Sequence, residues 1–458
     1  MLLSLQWLYL VFLFYLTSLA DVEAQFPHAC TTQEALDRKT CCPLWKDGSP
    51  CGQNSNRGIC AAPAREALTP FDYRVDWPSA FYTYVCKCFD KYDGFECGVC
   101  LPGWKGPNCT EPHLVERKEI TDMNDTERES FLSNLDHAKH NTSNRYMILT
   151  SNDTTVFSNF KFHSATVYDL YVWLHYYAAK KYADTDDDAA HRGPAFPFWH
   201  RVFLLFIERE IRLLTGKEDF YIPYWDWTRH ANCNICTNDY FGAVDPDGLI
   251  DKASRFSKWR VRYHSSSFPR VFFLFRPDDP SPAPITRKPG MDPTADTLPN
   301  MGDVNDTLGT DNYDTTPYNS RSRNSFRSKL EGFDIPRDSR HLQSSMHNLV
   351  HDYLNGTMSH LPTAANDPLF MVHHIKDRFI FLNYPESGEI HKAQRGGAFM
   401  APFFPLRTND WYWDKDTLSL GYSYREHSIP HPGLNRGATR KAEGGEGRAL
   451  YSFIFCDT

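Results

Sequence analysis

His347 and His351 stand four residues apart near the start of the run Ser345 to His374, SMHNLVHDYLNGTMSHLPTAANDPLFMVHH. A helical period of 3.6 sets them one turn apart on one face, so two imidazoles project together into whatever that face packs against. Such a pair can grip a metal ion. Gly356 is a helix stop and Pro368 permits a new helix, so His373 and His374 come from a second helix able to supply a third ligand. Taken alone, an HxxxH pair more often lies on a solvated helix face. A matching cluster upstream shifts the balance.

That cluster begins in Thr166 to Lys181, TVYDLYVWLHYYAAKK, whose apolar residues cover nearly every face and predict a buried bundle helix with His175 inside it. A lone buried histidine is most often a hydrogen-bonded core residue. Here His191 follows in a loop containing Gly and Pro, and His200 falls in the opening turns of a helix that starts near Pro197 and ends at Gly216. Phe196 precedes His200 by four residues and Phe370 precedes His374 by four, so an aromatic ring lies one turn below the last histidine in each half. Two three-histidine sets with no carboxylate or thiolate ligand suit copper or zinc over magnesium or calcium. Paired copper binds dioxygen.

The chain that must position these residues has 458 of them, 41% apolar and 15% aromatic, enough for a substantial core. Its net charge of -8 comes without long runs of one sign, which gives no reason to invoke nucleic acid. Leu2 to Ala20 is a short apolar run followed by Val22-Glu23-Ala24, the pattern of a secretory signal cleaved after Ala24, and residues 1–24 are assigned to it. Sequons at Asn108, Asn124, Asn141, Asn152, Asn305 and Asn355 fit that compartment as glycosylation candidates. No later stretch approaches the apolar length of a transmembrane helix, so no membrane anchor is expected.

Cys30, Cys41, Cys42, Cys51, Cys60, Cys86, Cys88, Cys97, Cys100 and Cys109 crowd the mature N-terminus and read as a disulfide framework, with zinc as the competing reading. The segment CKCFDKYDGFECGVCLPGWKGPNC has the spacing of an epidermal-growth-factor-like or laminin-like module, with Gly94, Gly103 and Gly106 at turns. Residues 25–113 are therefore a small cysteine-rich subdomain. From Leu114 the composition turns helical and aromatic, so 114–424 is the metal domain and 425–458 a flexible tail. Within the domain, Cys233 and Cys236 suit a small structural disulfide, YIPYWDW suits core packing, and the Pro- and Asp-rich stretch Pro277 to Thr316 reads as a long surface loop.

The stretches YVWLHYY, HRGPAFPFWHR, YIPYWDW, SSMHNLVHDYLNGT and ANDPLFMVHH resemble those of the vertebrate tyrosinase family of type-3 copper proteins. The likeness runs from about Phe26 to Tyr424 and includes LEGF at Leu330 to Phe333 and APFFPLRTND. It implies a mainly α fold, a four-helix bundle enclosing a dinuclear metal site, preceded by the EGF-like subdomain. Carried over by position, His175, His191 and His200 would hold metal A, and His347, His351 and His374 metal B, with His373 beside the site. His373 and Ser344 match the copper enzymes, where related proteins tend to have Leu and, in one of them, Arg.

The implied cofactor is two copper ions, with two zinc ions as the alternative. The implied chemistry is hydroxylation of a monophenol beside its oxygen and oxidation of the o-diphenol to an o-quinone, with O2 as the second substrate, in melanin synthesis. The setting is the secretory pathway, either the melanosome lumen or the exterior. Glu331 and Asn348 match positions thought to hold a water that takes the phenol proton. The rival readings are a zinc protein with a dopachrome-isomerase-like role and an inactive secreted relative. Two departures bear on them. Arg192 stands where the family commonly has Glu. After His374, Lys376 and Arg378 interrupt an apolar stripe and Tyr384-Pro385 ends the helix early, which predicts a loosely held His374 and a weaker metal B.

Overall fold

The computed structural model describes residues 25–63, 81–149, 160–180, 188–265, 273–275, 281–333, 344–382, 400, 402–404 and 419–425. The assigned signal segment, the sequon at Asn152 and the tail beyond Arg425 lie outside them. Eight α-helices are described: α1 Gln33–Asp37, α2 Asp125–His140, α3 Val167–Ala178, α4 Phe196–Thr215, α5 Met301–Leu308, α6 Phe326–Glu331, α7 Met346–Leu354 and α8 Leu369–Leu382. Among the described residues no helix is long and apolar enough to cross a membrane.

Local chemistry sets the helix ends. Thr166 caps α3 by accepting from the Asp169 N–H, and every residue of α3 is buried, as its unbroken apolar pattern requires. Pro197 sits in the first turn of α4, and Gly216 ends that helix with a left-handed φ of 67°. Helix α7 stops where Asn355 and then Gly356 turn left-handed, at φ 54° and 58°. A Cβ on Gly356 would stand 2.4 Å from the Thr286 carbonyl oxygen, so the close approach of that segment requires glycine. Helix α8 follows Pro368, and Asp367 Oδ1 accepts from the Leu369 N–H at 2.9 Å.

All ten N-terminal cysteines are in disulfides: Cys30–Cys41, Cys42–Cys60, Cys51–Cys86, Cys88–Cys97 and Cys100–Cys109. The expected Cys233–Cys236 bond is also present. Gly94, Gly103 and Gly106 lie at positive φ, as the turns they mark demand. This region joins the helices through one hydrophobic core. Strand Gln25–Pro27 pairs antiparallel with Thr142–Leu149, which pairs in turn with Phe162–Thr166 at the entrance to α3. Arg209 on α4 donates to the buried Asp93 at 2.6 Å, and Arg145 donates to Glu210 on the same helix at 3.0 Å. The disulfide-rich part thus grips the helix that carries His200.

The stretch expected to be a long surface loop is more ordered than its composition indicates. Residues 281–316 include α5 and isolated β-bridges from Pro284 to Arg260 and Thr286 to Leu249. Its Arg287 is fully buried and binds Asp367 through Nε at 2.6 Å and Nη2 at 2.8 Å, while Nη1 donates to the Phe241 carbonyl. Proline and aspartate bias toward loop, but a buried bidentate pair with satisfied donors overrides that bias.

The same physics corrects the reading of α8. The helix is described as far as Leu382, and Tyr384-Pro385 lies outside the described residues, but Lys376 does not weaken its packing. Lys376 is buried, with Nζ 2.8 Å from Asp226 of the YIPYWDW segment and over the Tyr224 ring. The Trp225 N–H donates to the Val372 carbonyl at 3.1 Å, and the Tyr424 hydroxyl reaches the Ile375 carbonyl at 3.5 Å. Trp225 satisfies its own indole N–H on Asn234 at 2.9 Å. An ion pair therefore replaces part of the apolar stripe on the turn that bears His373 and His374.

Breaking a buried pair by removing one partner costs about 3–5 kcal/mol, whereas replacing both by apolar or neutral groups is often nearly neutral. Lys376→Ala is therefore expected to lower unfolding stability by about that amount. Lys376→Met combined with Asp226→Asn should recover most of it, and chemical denaturation of the three proteins reads the difference.

Candidate metal centre

Three elements bring the first histidine set together: His175 in the last turn of α3, His191 in the loop before α4, and His200 in the second turn of α4. All three are buried, and one ring nitrogen from each lies within 4.8 Å of the others. His175 Nε2 and His191 Nε2 approach to 3.1 Å. Asp188 holds His191 in place: its Oδ1 accepts from the His191 N–H at 2.6 Å and lies 3.2 Å from Nδ1. His200 Nδ1 donates to the Phe196 carbonyl at 2.9 Å, which leaves its Nε2 without a hydrogen-bond partner.

The second set comes from α7 and α8. His347 and His351 face the same way, with ring centroids 4.6 Å apart. The Nδ1 atom of His351 is 2.9 Å from the Met358 carbonyl oxygen, an arrangement that frees Nε2 to bind. The nitrogen grouping within 4.8 Å here consists of His347, His351 and His373. His374 lies between the two sets, its ring stacked on His200 at 4.4 Å and 4.6 Å from His347. Neither nitrogen of His374 has a hydrogen-bond partner. The structure therefore places all seven histidines in one cluster and groups His373 with His347 and His351, where the resemblance implied His374.

The two phenylalanines wedge between the sets. Phe196 stands 5.0 Å from His200 and 4.9 Å from His347, and Phe370 stands 4.8 Å from His175 and 3.9 Å from His374. Burial first, then neighbouring imidazoles, holds His175, His200, His347 and His374 well below the ordinary histidine pKa. Neutral rings keep a lone pair for a cation, and the orphaned nitrogens of His200 and His374 are the buried polar atoms that coordination would satisfy. The donor set fits a pair of copper or zinc ions.

Glu331 is buried at the end of α6. Its Oε1 accepts from the Arg192 backbone N–H at 2.5 Å, and its Oε2 pairs with Arg327 at 3.3 Å. Arg327 in turn makes a bidentate pair with Asp314. Burial pushes the Glu331 carboxyl up to about 7, opposed by Arg327 and His191. Gly332, at φ 103°, lets α6 close onto α7: a Cβ there would lie 2.8 Å from the Asn348 Cβ and 2.2 Å from the Ser345 carbonyl oxygen. That contact sets the end of α6, next to Glu331, against the half-buried Asn348. Arg192, half-buried at φ 59°, gives its backbone N–H to Glu331. Ser344 bonds the Asp352 carboxylate.

Sequence reasoning missed Asp188, Arg327 and Asp314. An aspartate three residues before a loop histidine is the available signal for the first, since its carboxylate can bond both the backbone and the ring. Among the sequons, Asn108, Asn124 and Asn305 are exposed, while Asn141 and Asn355 are half-buried. Asn141 Nδ2, the atom a glycan would take, donates to the His137 carbonyl at 2.8 Å.

The family model described as the common central domain of tyrosinase matches residues 165–380. Tyrosinase of Bos taurus is 39% identical over 88% of this chain and 83% of its own length. Tyrosinase of Gallus gallus is 38% identical over 87% and 82%. The 5,6-dihydroxyindole-2-carboxylic acid oxidase of Mus musculus is 33% identical over 88% and 83%. Among solved structures, a polyphenol oxidase from Thermothelomyces thermophila aligns with a TM-score of 0.49 at 14% identity, covering 71% of this chain and 91% of that one.

The raised Glu331 pKa makes a prediction for metal-free protein. Folding favours the protonated carboxyl, so no penalty exists below about pH 4.5, and it grows as pH rises to a plateau above about 7. Glu331→Gln keeps an acceptor for Arg192 without the buried charge. It should match the parent near pH 4.5 and exceed it by at most about 3 kcal/mol at pH 8. Equal pH dependence of stability in the two proteins would refute the assignment.

Proposed function

Because the chain belongs to the tyrosinase family, we propose that its histidine cluster holds two copper ions and that Glu331 and Asn348 manage the proton of a phenolic substrate beside them. The chain is a monophenol monooxygenase and catechol oxidase of melanin synthesis. The observation that carries the metal assignment is two buried imidazole trios, His175, His191 and His200, and His347, His351 and His373, each with one nitrogen per ring within 4.8 Å, meeting across Phe196 and Phe370 with His374 between them. His175, His191 and His200 hold one ion, and His347 and His351 hold the other with His374 as third ligand. Bound copper supplies the redox chemistry with O2 that imidazoles cannot.

The protein's own part is positional and acid–base. Burial of the cluster excludes water, while Asp188 and the Met358 carbonyl fix two of the rings. Glu331, with Asn348, holds the water that accepts the phenol proton; a carboxyl near 7 ionises readily enough to serve as base at neutral pH. Arg192 is accommodated through its backbone, which Glu331 binds. The scaffold reads as a four-helix bundle of α3, α4, α7 and α8. In the N-terminal part, the interleaved Cys42–Cys60 and Cys51–Cys86 bonds followed by the local Cys88–Cys97 and Cys100–Cys109 loops suit an EGF-like or laminin-like module over 25–113, ahead of a metal domain over 114–424. Six disulfides and exposed Asn108, Asn124 and Asn305 support passage through the secretory pathway, with glycans at those three sites and a melanosomal or extracellular destination.

Zinc is the second reading, since imidazole trios accept either metal. Elemental analysis of protein purified from a secretory host separates them. Two coppers per chain with quinone formation from phenols support the proposal, and two zincs without it count against it.

Glu331→Gln should lower monophenol hydroxylation far more than diphenol oxidation, roughly 10²-fold or more against less than about tenfold. A catechol sheds its first proton more readily, whereas a monophenol relies on the base. Initial rates on a matched monophenol and catechol test this, and an equal loss on both would mean Glu331 is purely structural.

A further inference from the structure

We propose that the second metal position has two alternative third ligands, His373 as well as His374, so that a chain lacking His374 still binds an ion there through His347, His351 and His373. The inference rests on the two-metal reading above and concerns which imidazoles can complete its second half.

The geometry begins with a helix. Consecutive residues point about 100° apart, so two neighbours normally cannot address the same point. Here both rings lie against His347. Its centroid is 4.5 Å from that of His373, stacked at 16°, and 4.6 Å from that of His374, at 72°. His351 is similarly shared, 5.0 Å from His373 and 5.6 Å from His374. With the rings of His373 and His374 themselves 5.3 Å apart, the helix sets both imidazoles against the α7 pair.

The two differ in what else they touch. His374 leans toward the first set, 4.4 Å from His200 and 3.9 Å from the Phe370 ring. His373 turns to α7, where one of its nitrogens lies within 4.8 Å of one from His347 and one from His351. Tetrahedral coordination at ordinary metal–nitrogen lengths needs nitrogens roughly 3.4 Å apart, a closure that small side-chain rotations can supply. Packing alone does not call for this residue. A fully buried imidazole stacked on a second one desolvates polar atoms that an apolar side chain would spare.

With ions bound, His374 would complete the second set from beside His200, and His373 from beside His347 and His351. Either nitrogen completes a three-imidazole set. An ion entering the second position before the first is filled meets His347, His351 and His373 already gathered.

Zinc and cobalt(II) binding test this independently of turnover. Metal-free protein is equilibrated with each ion in metal-buffered solution, then bound metal per chain and the cobalt d–d spectrum are measured for the parent, His374→Ala, His373→Leu and the double variant. The parent is expected to bind two ions. His374→Ala should keep the second with affinity reduced by about 10- to 100-fold, as should His373→Leu with a smaller loss, while the double variant falls to one. The retained first ion shows that each variant is folded, and His374→Gln replaces His374→Ala if that ion is lost too. If His374→Ala alone binds one ion, as the double variant does, the inference fails and the two-metal reading stands. A parent that binds none overturns both.

Discussion

Seven imidazoles removed from water into one core are the constraint on which the rest of this structure depends. Protonated, they would repel one another in a medium that screens little, and burial holds His175, His200, His347 and His374 well below the ordinary histidine pKa. Neutral, they carry ring nitrogens that the surrounding helices do not all satisfy, as at His200 and His374. A cation resolves both conditions. It accepts lone pairs that would otherwise be desolvated without return, and its own charge takes the place of the protons the site cannot hold.

Holding such a cluster open needs rigidity from outside it, and the chain supplies this with buried ion pairs at the backs of the ligand helices. Arg209 and Asp93 tie α4 to the disulfide-rich part, Arg287 and Asp367 fix the start of α8, and Lys376 and Asp226 fix its middle. Arg117 and Glu208 add a further pair on α4. Each of these is weak evidence for net stability, because desolvation offsets attraction. Their directional bonds nonetheless fix helix rotation, which apolar contacts alone leave freer. Rotation decides whether a histidine faces the cluster or its back.

The departures from the family pattern look different once neighbours are visible. Arg192 reverses a charge beside His191, yet the group that matters there is its backbone N–H, which any residue but proline provides. Lys376 breaks an apolar stripe, yet finds a carboxylate within 2.8 Å in a segment some 150 residues earlier. Both substitutions are compatible with an intact centre because the compensating group comes from elsewhere in the chain.

The sequence alone determined the six ligand candidates, the helices that bear them and the stops between those helices. It also determined the oxidised state of the N-terminal cysteines. Those signals are local: a period of 3.6, a proline at a helix start, a glycine that alone tolerates left-handed φ, and the redox logic of dense cysteines. Only the tertiary structure decided that Asp188 orients His191, that Arg327 and the Arg192 backbone hold Glu331, that Ser344 serves Asp352 and that His373 gathers with His347 and His351. It alone showed Arg287 converting a proline-rich stretch into ordered core and Lys376 anchoring α8. The reason is common to all of these. Whether a charge or a ring nitrogen is stabilising depends on the partner it meets within about 3 Å, and that partner lies tens to hundreds of residues away, where no periodicity or composition can point to it.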